Sequence, residues 1–175
     1  KVLLYAGSRE MSGAALLCAR AVLCSGAGML KVLTEETNHT LLRTVLPEAM
    51  IATDPVKDLE WADVLVAGPG IGTSEEAKET LTGLLRASHL PTVLDADALN
   101  LLAEDQELME LVREKASKQP VILTPHPGEF LRLSGLTMTD YEQEREKAIR
   151  TFQEQSHCIL VSKDACTVVT DGAAL

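Results

Sequence analysis

Short apolar runs alternate with helix-forming segments along the whole chain. Most of these runs are continuously apolar rather than alternating with polar residues, which is typical of strands buried on both faces of a sheet. The runs begin at Val2, Met29, Met50, Val64, Thr92, Val121 and Cys158. Strands separated by helices in this way predict a three-layer α/β fold, with a mostly parallel central sheet flanked by helices. Residues 140–155 are predicted to form one polar helix, and residues 167–170 a further strand after a turn.

The composition narrows the classes of function. The 175 residues suit one domain, and 16 Lys and Arg against 26 Asp and Glu give a net charge of −10. A surface that tracks a nucleic-acid backbone or an anionic membrane needs a basic patch, and none is evident. Aromatic residues make up 3% of the chain, too few for base-stacking platforms, and no apolar run approaches the roughly 20 residues of a membrane span. We therefore expect no nucleic-acid partner and no membrane partner.

The chain contains four cysteines, Cys18, Cys24, Cys158 and Cys166, all in apolar segments and none in a CxxC motif. We predict buried, reduced thiols, which are typical of a cytoplasmic protein. Their spacing supports no zinc site.

Residues 124–129, with the sequence TPHPGE, follow a predicted strand and precede a helical pattern. Each proline disfavours the α conformation for the residue before it, so this elbow is expected to be rigid. Gly128 lets the backbone turn or approach a ligand, and Glu129 falls in the first helical turn, where a carboxylate suits the helix dipole. His126 either faces a ligand at the strand end or only bonds neighbouring backbone.

A second loop carries glycine at positions 68, 70 and 72, between a strand and a helix. Backbone N–H groups in such a loop can bind an anion at the helix N-terminus. The helix that follows is expected to have Ser74 as its N-cap. The sequence GPGIG matches neither the Walker A pattern nor the Rossmann fingerprint, so contact with a ligand is a hypothesis.

Two carboxylates, Asp95 and Asp97, follow the fifth predicted strand. An N-cap position would explain Asp97. Asp95 adjoins the apolar run, so it needs a partner or a ligand, because a buried unpaired carboxylate is costly. It could orient a substrate hydroxyl or hold hydrated Mg²⁺. Near the first strand, the small residues at 7–8 and 12–14 either leave room for a bulky ligand or only pack the helix.

All these loops follow strands of a predicted parallel sheet, so they are expected to meet at one edge, where such folds bind ligands. With these loops, the chain resembles the ADP-dependent NAD(P)H-hydrate dehydratases, relatives of the ribokinase-like kinases. The resemblance covers nearly all of the chain, with the motifs in the family's order. The matching stretches are GS at residues 7–8, GA at 13–14, SGAG at 25–28, GPGIG at 68–72, VLDADALN at 93–100 and TPHPGE at 124–129.

The resemblance implies an enzyme that repairs hydrated NADH or NADPH by removing the water added to the nicotinamide ring. ADP, or ATP, would be the co-substrate and would phosphorylate the ring hydroxyl so that phosphate leaves, with Mg²⁺ sharing the phosphate charge. Lys163 matches the family's Lys-Gly near the nucleotide phosphates, and no residue is assigned as a direct metal ligand. The candidate substrate-binding residues are Ala14, Gly68, Gly70, Gly72, Asp95, Asn100, His126 and Glu129.

Two features depart from the family pattern. Asp164 stands where the family has a glycine after Lys163, which places a carboxylate beside the expected phosphate site. The family's later Gly-Asp segment, with its catalytic aspartate, has no match here, so no catalytic residue is named. We expect residues 1–175 to be a single ribokinase-like domain, incomplete at both ends, because the chain starts at Lys1 rather than Met and stops at Leu175 without a closing helix.

Two other functions remain as alternatives: a small-molecule kinase of the same superfamily, and a catalytically silent nucleotide-binding module. The elbow favours the dehydratase, whereas Asp164 and the missing Gly-Asp segment favour the silent module; the fold does not separate them. The many small residues permit a homo-oligomer, and a fused epimerase domain is also left open.

Overall fold

The structure, a computed structural model, describes residues 1–173; Ala174 and Leu175, and with them the chain end discussed above, lie outside the described residues. The strands are β1 (Val2–Tyr5), β2 (Leu30–Leu33), β3 (Met50–Ile51), β4 (Val64–Ala67), β5 (Thr92–Leu94), β6 (Val121–Leu123), β7 (Ile159–Ser162) and β8 (Val168–Thr170). They form one sheet in the order β3-β2-β1-β4-β5-β6-β7-β8. Neighbouring strands are parallel except β7 and β8, which pair antiparallel. The predicted mostly parallel sheet is confirmed.

Helices connect the strands and lie on both faces of the sheet. They are α1 (Ser12–Cys24), α2 (His39–Val45), α3 (Pro55–Trp61), α4 (Glu75–Ala87), α5 (Asp97–Glu104), α6 (Gln106–Ala116), α7 (Pro127–Ser134), α8 (Met138–Gln143) and α9 (Arg145–Ser156). Ser74 is the N-cap of α4, as predicted, and accepts a hydrogen bond from the Ala77 N–H at 3.2 Å. No helix within residues 1–173 is long and apolar enough to cross a membrane.

The prediction of one helix over residues 140–155 is wrong. The chain breaks at Glu144, whose φ of −133° and ψ of 43° are not helical. In one straight helix Tyr141 and Phe152 would lie about 16 Å apart along the axis. The break allows both rings to contact Phe130, at centroid distances of 5.2 and 5.5 Å.

Helix α3 is absent from the sequence predictions. It has only 7 residues, too few for an apolar period to become visible. Its start does carry ordinary signals, since Asp54 is the N-cap and Pro55 the first helical residue. These two residues could have revealed it.

The core has two parts because successive strand residues face opposite sides of the sheet. Leu3 belongs to the larger part, to which α3 to α9 contribute, and Leu4 to the smaller part, to which α1 and α2 contribute. On the face of the sheet that carries Leu4, the strand residues that lie beyond α1 are only partly buried. They are Val93, Ile122 and Val161. The core consists mainly of Leu, Ala, Val and Ile, as the low aromatic content predicts.

The prediction that all four thiols are buried is wrong. Cys24 and Cys166 are exposed, Cys18 is half-buried and only Cys158 is fully buried. Burial raises the pKa of Cys158 to about 12. The error arises because Cys24 ends α1 and Cys166 lies in the β7–β8 turn, where an apolar neighbour does not imply burial.

A buried ion pair joins β2 to α3. The Lys31 ammonium donates to Asp58 Oδ1 at 2.5 Å, and Asp58 Oδ2 accepts the backbone N–H of Thr53 and of Asp54 at 3.0 and 3.1 Å. Burial acts to raise the pKa of Asp58, but these hydrogen bonds and the Lys31 charge outweigh it and hold the pKa below the ordinary value. The carboxylate therefore stabilises the fold at neutral pH.

Replacing Asp58 with Asn is expected to lower the free energy of unfolding by about 2 kcal/mol at pH 7. Because the pKa of Asp58 is depressed in the fold, its stabilisation is present above the pKa of unfolded aspartate, about 4, and is lost as the pH falls through the folded value. The difference between the variant and the wild type should therefore shrink at acidic pH. Urea unfolding at pH 7 and in acid measures this. Asp63→Asn, at a carboxylate whose side chain is 68% exposed, is the control; an equal loss there would contradict a special role for Asp58.

Candidate active site

The strand order reverses between β1 and β4, so the loops after these strands flank a crevice at the carboxyl edge of the sheet. In open α/β sheets ligands bind at such a switch point. The two loops are joined by backbone hydrogen bonds, from the Gly7 N–H to Pro69 O at 2.9 Å and from the Ser8 N–H to Gly70 O at 2.5 Å. The predicted meeting of the loops at one edge thus has a direct structural basis.

The first two glycines of the β4 loop permit close approach of other segments. A Cβ added at Gly68, where φ is +129°, would lie 1.8 Å from the backbone oxygen of Asp95. A Cβ added at Gly70 would lie 2.6 Å from the Cβ of Ala14. These glycines therefore bring the Asp95 loop and α1 against the β4 loop.

Three N–H groups of the glycine loop already have acceptors within the protein. The Gly68 N–H donates to Tyr5 O, and the Ile71 N–H donates to Gly68 O. The Gly72 N–H donates to Asp97 Oδ2 at 2.9 Å. Because these donors are satisfied within the protein, a ligand would contact the surface of the loop rather than these three N–H groups.

Asp97 does not have the predicted N-cap role. It is the first residue of α5, and the N-cap position is held by Ala96, which makes no side-chain cap. Besides holding Gly72, Asp97 accepts a hydrogen bond from the Asn100 amide at 3.3 Å, and Asn100 Oδ1 accepts one from Arg132 Nε at 3.0 Å. This chain of polar contacts ties the glycine loop to α5 and α7.

Asp95 has the partner that its position requires. Its Oδ1 accepts a hydrogen bond from Lys163 Nζ at 2.7 Å and from the Ala96 N–H at 2.9 Å. The Lys163 N–H donates to Pro125 O at 2.8 Å, which joins the end of β7 to the elbow after β6. Ala96 has φ of +51°, a strained conformation for a residue with a side chain, of a kind concentrated at functional sites.

His126 is the N-cap of α7. Its Nδ1 accepts hydrogen bonds from the N–H groups of Gly128 and Glu129 at 3.0 and 3.4 Å, and Glu129 Oε2 accepts the His126 N–H at 2.8 Å. This reciprocal capping box fixes the ring. Because Nδ1 is an acceptor, the proton of the neutral ring is on Nε2, which lies 3.3 Å from Glu129 Oε1.

The two residues of this pair differ in access to a ligand. The imidazole is 51% exposed, whereas the Glu129 side chain is 7% exposed and has both oxygens directed at His126. The bond to neighbouring backbone that was one interpretation of His126 exists, through Nδ1, while about half of the ring stays exposed to solvent. Glu129 has the geometry of a residue that positions His126.

The carboxylate of Asp164 has a cation beside it. Asp164 Oδ2 lies 3.8 Å from Arg145 Nε, and Asp164 Oδ1 accepts the Ala165 N–H at 2.7 Å. Arg145 is itself held by Tyr141, whose hydroxyl accepts from Nε at 2.9 Å. Sequence reasoning missed Arg145, and no local pattern could have identified it, because it lies in α9, far from Asp164 in the sequence. Its charge offsets the negative charge that Asp164 places next to Lys163.

A cavity of about 240 Å³ adjoins the crevice on the side of α4. Of its lining, sequence reasoning named Gly7, Ser8, Ile71 and Ser74, but it did not predict a cavity there. The other lining residues include Tyr5, Thr34, Glu35, Glu76 and Thr80. Burial raises the pKa of the Tyr5 hydroxyl, against the effect of a hydrogen bond with Thr80.

Taken together, the strand order and the polar loops define a parallel α/β protein whose ligand site lies at the topological switch point. Residues 2–174 match the sequence model of the Carb_kinase family, described as NAD(P)H-hydrate dehydratase. The chain belongs to this family.

Two relatives show the extent of the similarity. The bifunctional NAD(P)H-hydrate repair enzyme Nnr of Vibrio cholerae is 37% identical over 177 residues, which is 98% of this chain and 34% of that protein. The ADP-dependent (S)-NAD(P)H-hydrate dehydratase of Lactiplantibacillus plantarum is 37% identical over 147 residues, 80% of this chain and 50% of that protein. The chain thus spans between a third and a half of these curated relatives.

Solved structures give the same fold. The ADP/ATP-dependent NAD(P)H-hydrate dehydratase of Bacillus subtilis, co-crystallised with ATP and Mg²⁺, has a TM-score of 0.78 and 31% identity over 99% of this chain and 61% of its own. A ribokinase-like superfamily protein of Enterococcus faecalis has a TM-score of 0.83 and 28% identity, over 99% and 60%. The fold is therefore ribokinase-like, as expected.

Proposed function

We propose that the protein dehydrates hydrated NADH or NADPH in a nucleotide-dependent reaction and so restores NAD(P)H. The observation that carries this proposal is the elbow at residues 124–129. It presents the exposed ring of His126 at the carboxyl edge of the sheet, where Pro125 O accepts the N–H of Lys163, the partner of Asp95. The names of the Lactiplantibacillus and Bacillus relatives, ADP-dependent and ADP/ATP-dependent, support ADP or ATP as co-substrate.

The reaction must convert a poor leaving group into a good one. In the proposed sequence the ring hydroxyl oxygen attacks the terminal phosphorus of ADP and its proton passes to solvent, while the bond to the bridging oxygen breaks to release AMP. The ring carbon–oxygen bond then breaks, phosphate leaves with the electron pair, and a ring proton is lost to re-form the double bond. The sum is hydrated NADH plus ADP giving NADH, AMP and phosphate.

We assign the substrate side of the site to the residues around the crevice. The glycines at 68, 70 and 72 and Ala14 would shape a pocket wall, because none of them projects a large side chain. Asn100 would contribute through the contact that fixes Arg132. His126 would donate a hydrogen bond from its Nε2–H to a reacting oxygen, in place of Glu129 Oε1, and so stabilise negative charge that develops there.

Lys163 would contact the nucleotide phosphates, and Arg145 would keep Asp164 from repelling them. Among residues 1–173 no group of three or more His, Cys, Asp or Glu side chains is arranged to hold a metal ion. Mg²⁺ fits the site as an ion carried mainly by phosphate oxygens and water, its usual mode at nucleotide sites. Bound there, it would neutralise phosphate charge.

For the whole protein we propose a cytoplasmic enzyme in which residues 1–175 belong to a single ribokinase-like domain. The Vibrio relative is named bifunctional, so a fused epimerase domain belongs to this proposal, and a homo-oligomer stays a prediction from the small-residue content.

The test is turnover of hydrated NADH by the protein at its natural length, with ADP and Mg²⁺, followed by the near-ultraviolet absorbance of the reduced nicotinamide ring. A rise that requires ADP is expected, with AMP and phosphate formed in equal amounts. Phosphoryl transfer from ATP to a stable alcohol, without this rise, would instead identify a kinase. ADP binding with no turnover of either substrate would identify a silent module and overturn the proposal.

A further inference from the structure

We propose that Asp95 competes with the nucleotide for Lys163, so that nucleotide binding transfers the Lys163 ammonium from Asp95 to a phosphate and frees the Asp95 carboxylate for the substrate side of the site. Asp95 is then a positioning residue that couples the two halves of the site. The inference rests on the proposed function for the assignment of Lys163 to the nucleotide.

The first support is the way Lys163 is held. Its backbone is fixed, because its N–H donates to Pro125 O at 2.8 Å at the end of β7. Its side chain crosses the end of β6 to reach Asp95 after β5, where Nζ lies 2.7 Å from Oδ1. A fixed backbone with a flexible four-carbon stem lets the ammonium change partners without movement of the sheet.

The second support is that the pair is open to solvent. The side chains of Lys163 and Asp95 are 41% and 32% exposed. An ion pair with this exposure is weak, because water screens it and two side chains must be held in one geometry. A phosphate group carries more charge than a carboxylate and offers several acceptor oxygens, so it can displace Asp95 from the ammonium.

The third support is that Asp95 stays in place without Lys163. Its Oδ1 also accepts the Ala96 N–H, and its backbone is clamped by the close approach of Gly68 and by its own N–H donating to Ala67 O at 3.1 Å. The Asp95 carboxylate also acts electrostatically on Cys18 of α1. Burial raises the pKa of that thiol, and the negative charge of Asp95 raises it further. A released Asp95 is therefore a fixed negative charge beside the glycine loop.

The decisive experiment measures ADP binding by calorimetry in the protein at its natural length. Asp95→Asn keeps a side-chain oxygen for the Ala96 N–H but loses the charge that holds Lys163. We expect it to bind ADP about three- to five-fold tighter than wild type, the gain from removing a competing exposed ion pair. Turnover of hydrated NADH should fall in the same variant. A merely structural role for Asp95 would weaken ADP binding or leave it unchanged, and either result overturns the proposal.

Two further variants test whether the change in ADP affinity of Asp95→Asn acts through Lys163. Lys163→Met should weaken ADP binding, and Asp95→Asn added to it should give no gain, because the gain acts through the ammonium. Asp63→Asn removes one negative charge at the opposite edge of the sheet and should leave ADP affinity unchanged; tighter binding there would show that only net charge matters. If wild type itself binds no ADP, the nucleotide assignment in the proposed function fails. If wild type binds and Asp95→Asn binds no tighter, only the exchange fails.

Discussion

Replacing Gly68 with alanine is expected to lower the free energy of unfolding by about 3 kcal/mol, since it combines overpacking with backbone strain. The added Cβ would lie 1.8 Å from the backbone oxygen of Asp95 and 2.8 Å from the Cβ of Ala98, at a φ of +129° that residues with side chains rarely adopt. Neither backbone can yield easily. The Gly68 N–H donates to Tyr5 O and the Asp95 N–H to Ala67 O, both at 3.1 Å, so a shift would break bonds between neighbouring strands.

Urea unfolding of Gly68→Ala measures this effect. Gly83→Ala is the matched control, because Gly83 lies within α4, is exposed and would place its new Cβ in open space. There alanine should stabilise the protein by about 0.5–1 kcal/mol, through its better helix propensity. Equal unfolding midpoints for Gly68→Ala and wild type would show that the close approach of the two loops is not needed for the fold.

Replacing His126 with asparagine is expected to reduce turnover of hydrated NADH by about 100-fold or more, the usual contribution of a hydrogen-bond donor aimed at charge that develops in the transition state. Asparagine is a good N-cap, so its oxygen can accept the N–H groups that His126 Nδ1 now accepts. Stability should therefore stay within about 0.5 kcal/mol of wild type. The variant separates the chemistry of the ring from its structural role in α7.

The prediction is tested by measuring turnover and thermal unfolding of His126→Asn alongside the wild type. His126→Ala should lose the same activity and also about 1 kcal/mol of stability, because alanine cannot cap the helix. Glu129→Gln should keep the capping box and lose less activity than either histidine variant, since glutamine also occurs at that position of the box. Wild-type turnover in His126→Asn would remove His126 from the chemistry and leave it only as a cap.

The fold was largely predictable from the sequence. The buried strands are continuous apolar runs, so the predicted starts of β1, β3, β4, β5 and β6 are exact and those of β2 and β7 are one residue early. Ser74 was identifiable as an N-cap because capping is a local interaction between a side chain and the next turn. The two failures have different origins. Helix α3 is too short for an apolar period to show, which is a local cause. The break at Glu144 has a tertiary cause, because it lets rings of two helices contact Phe130.

The candidate site was only partly predictable. Strand order in a parallel sheet places the loops at one edge, so the meeting of the glycine loop, the Asp95 loop and the elbow followed from the sequence. The role of Asp97 did not, because its partner Gly72 is 25 positions away. The N-cap prediction for Asp97 was based only on residues that are close to it in the sequence.

The sequence by itself determined the layers of the fold, the loops that carry the chemistry and the rigid elbow around His126, because these depend on apolar periodicity, on glycine and proline conformations and on contacts within one turn. Only the tertiary structure decided how the charges pair. Lys163 holds Asp95 from 68 positions away, and Arg145 offsets Asp164 from a neighbouring helix. Local patterns carry no information about which distant side chains meet, since that depends on the order of the strands and on the packing of the helices around them.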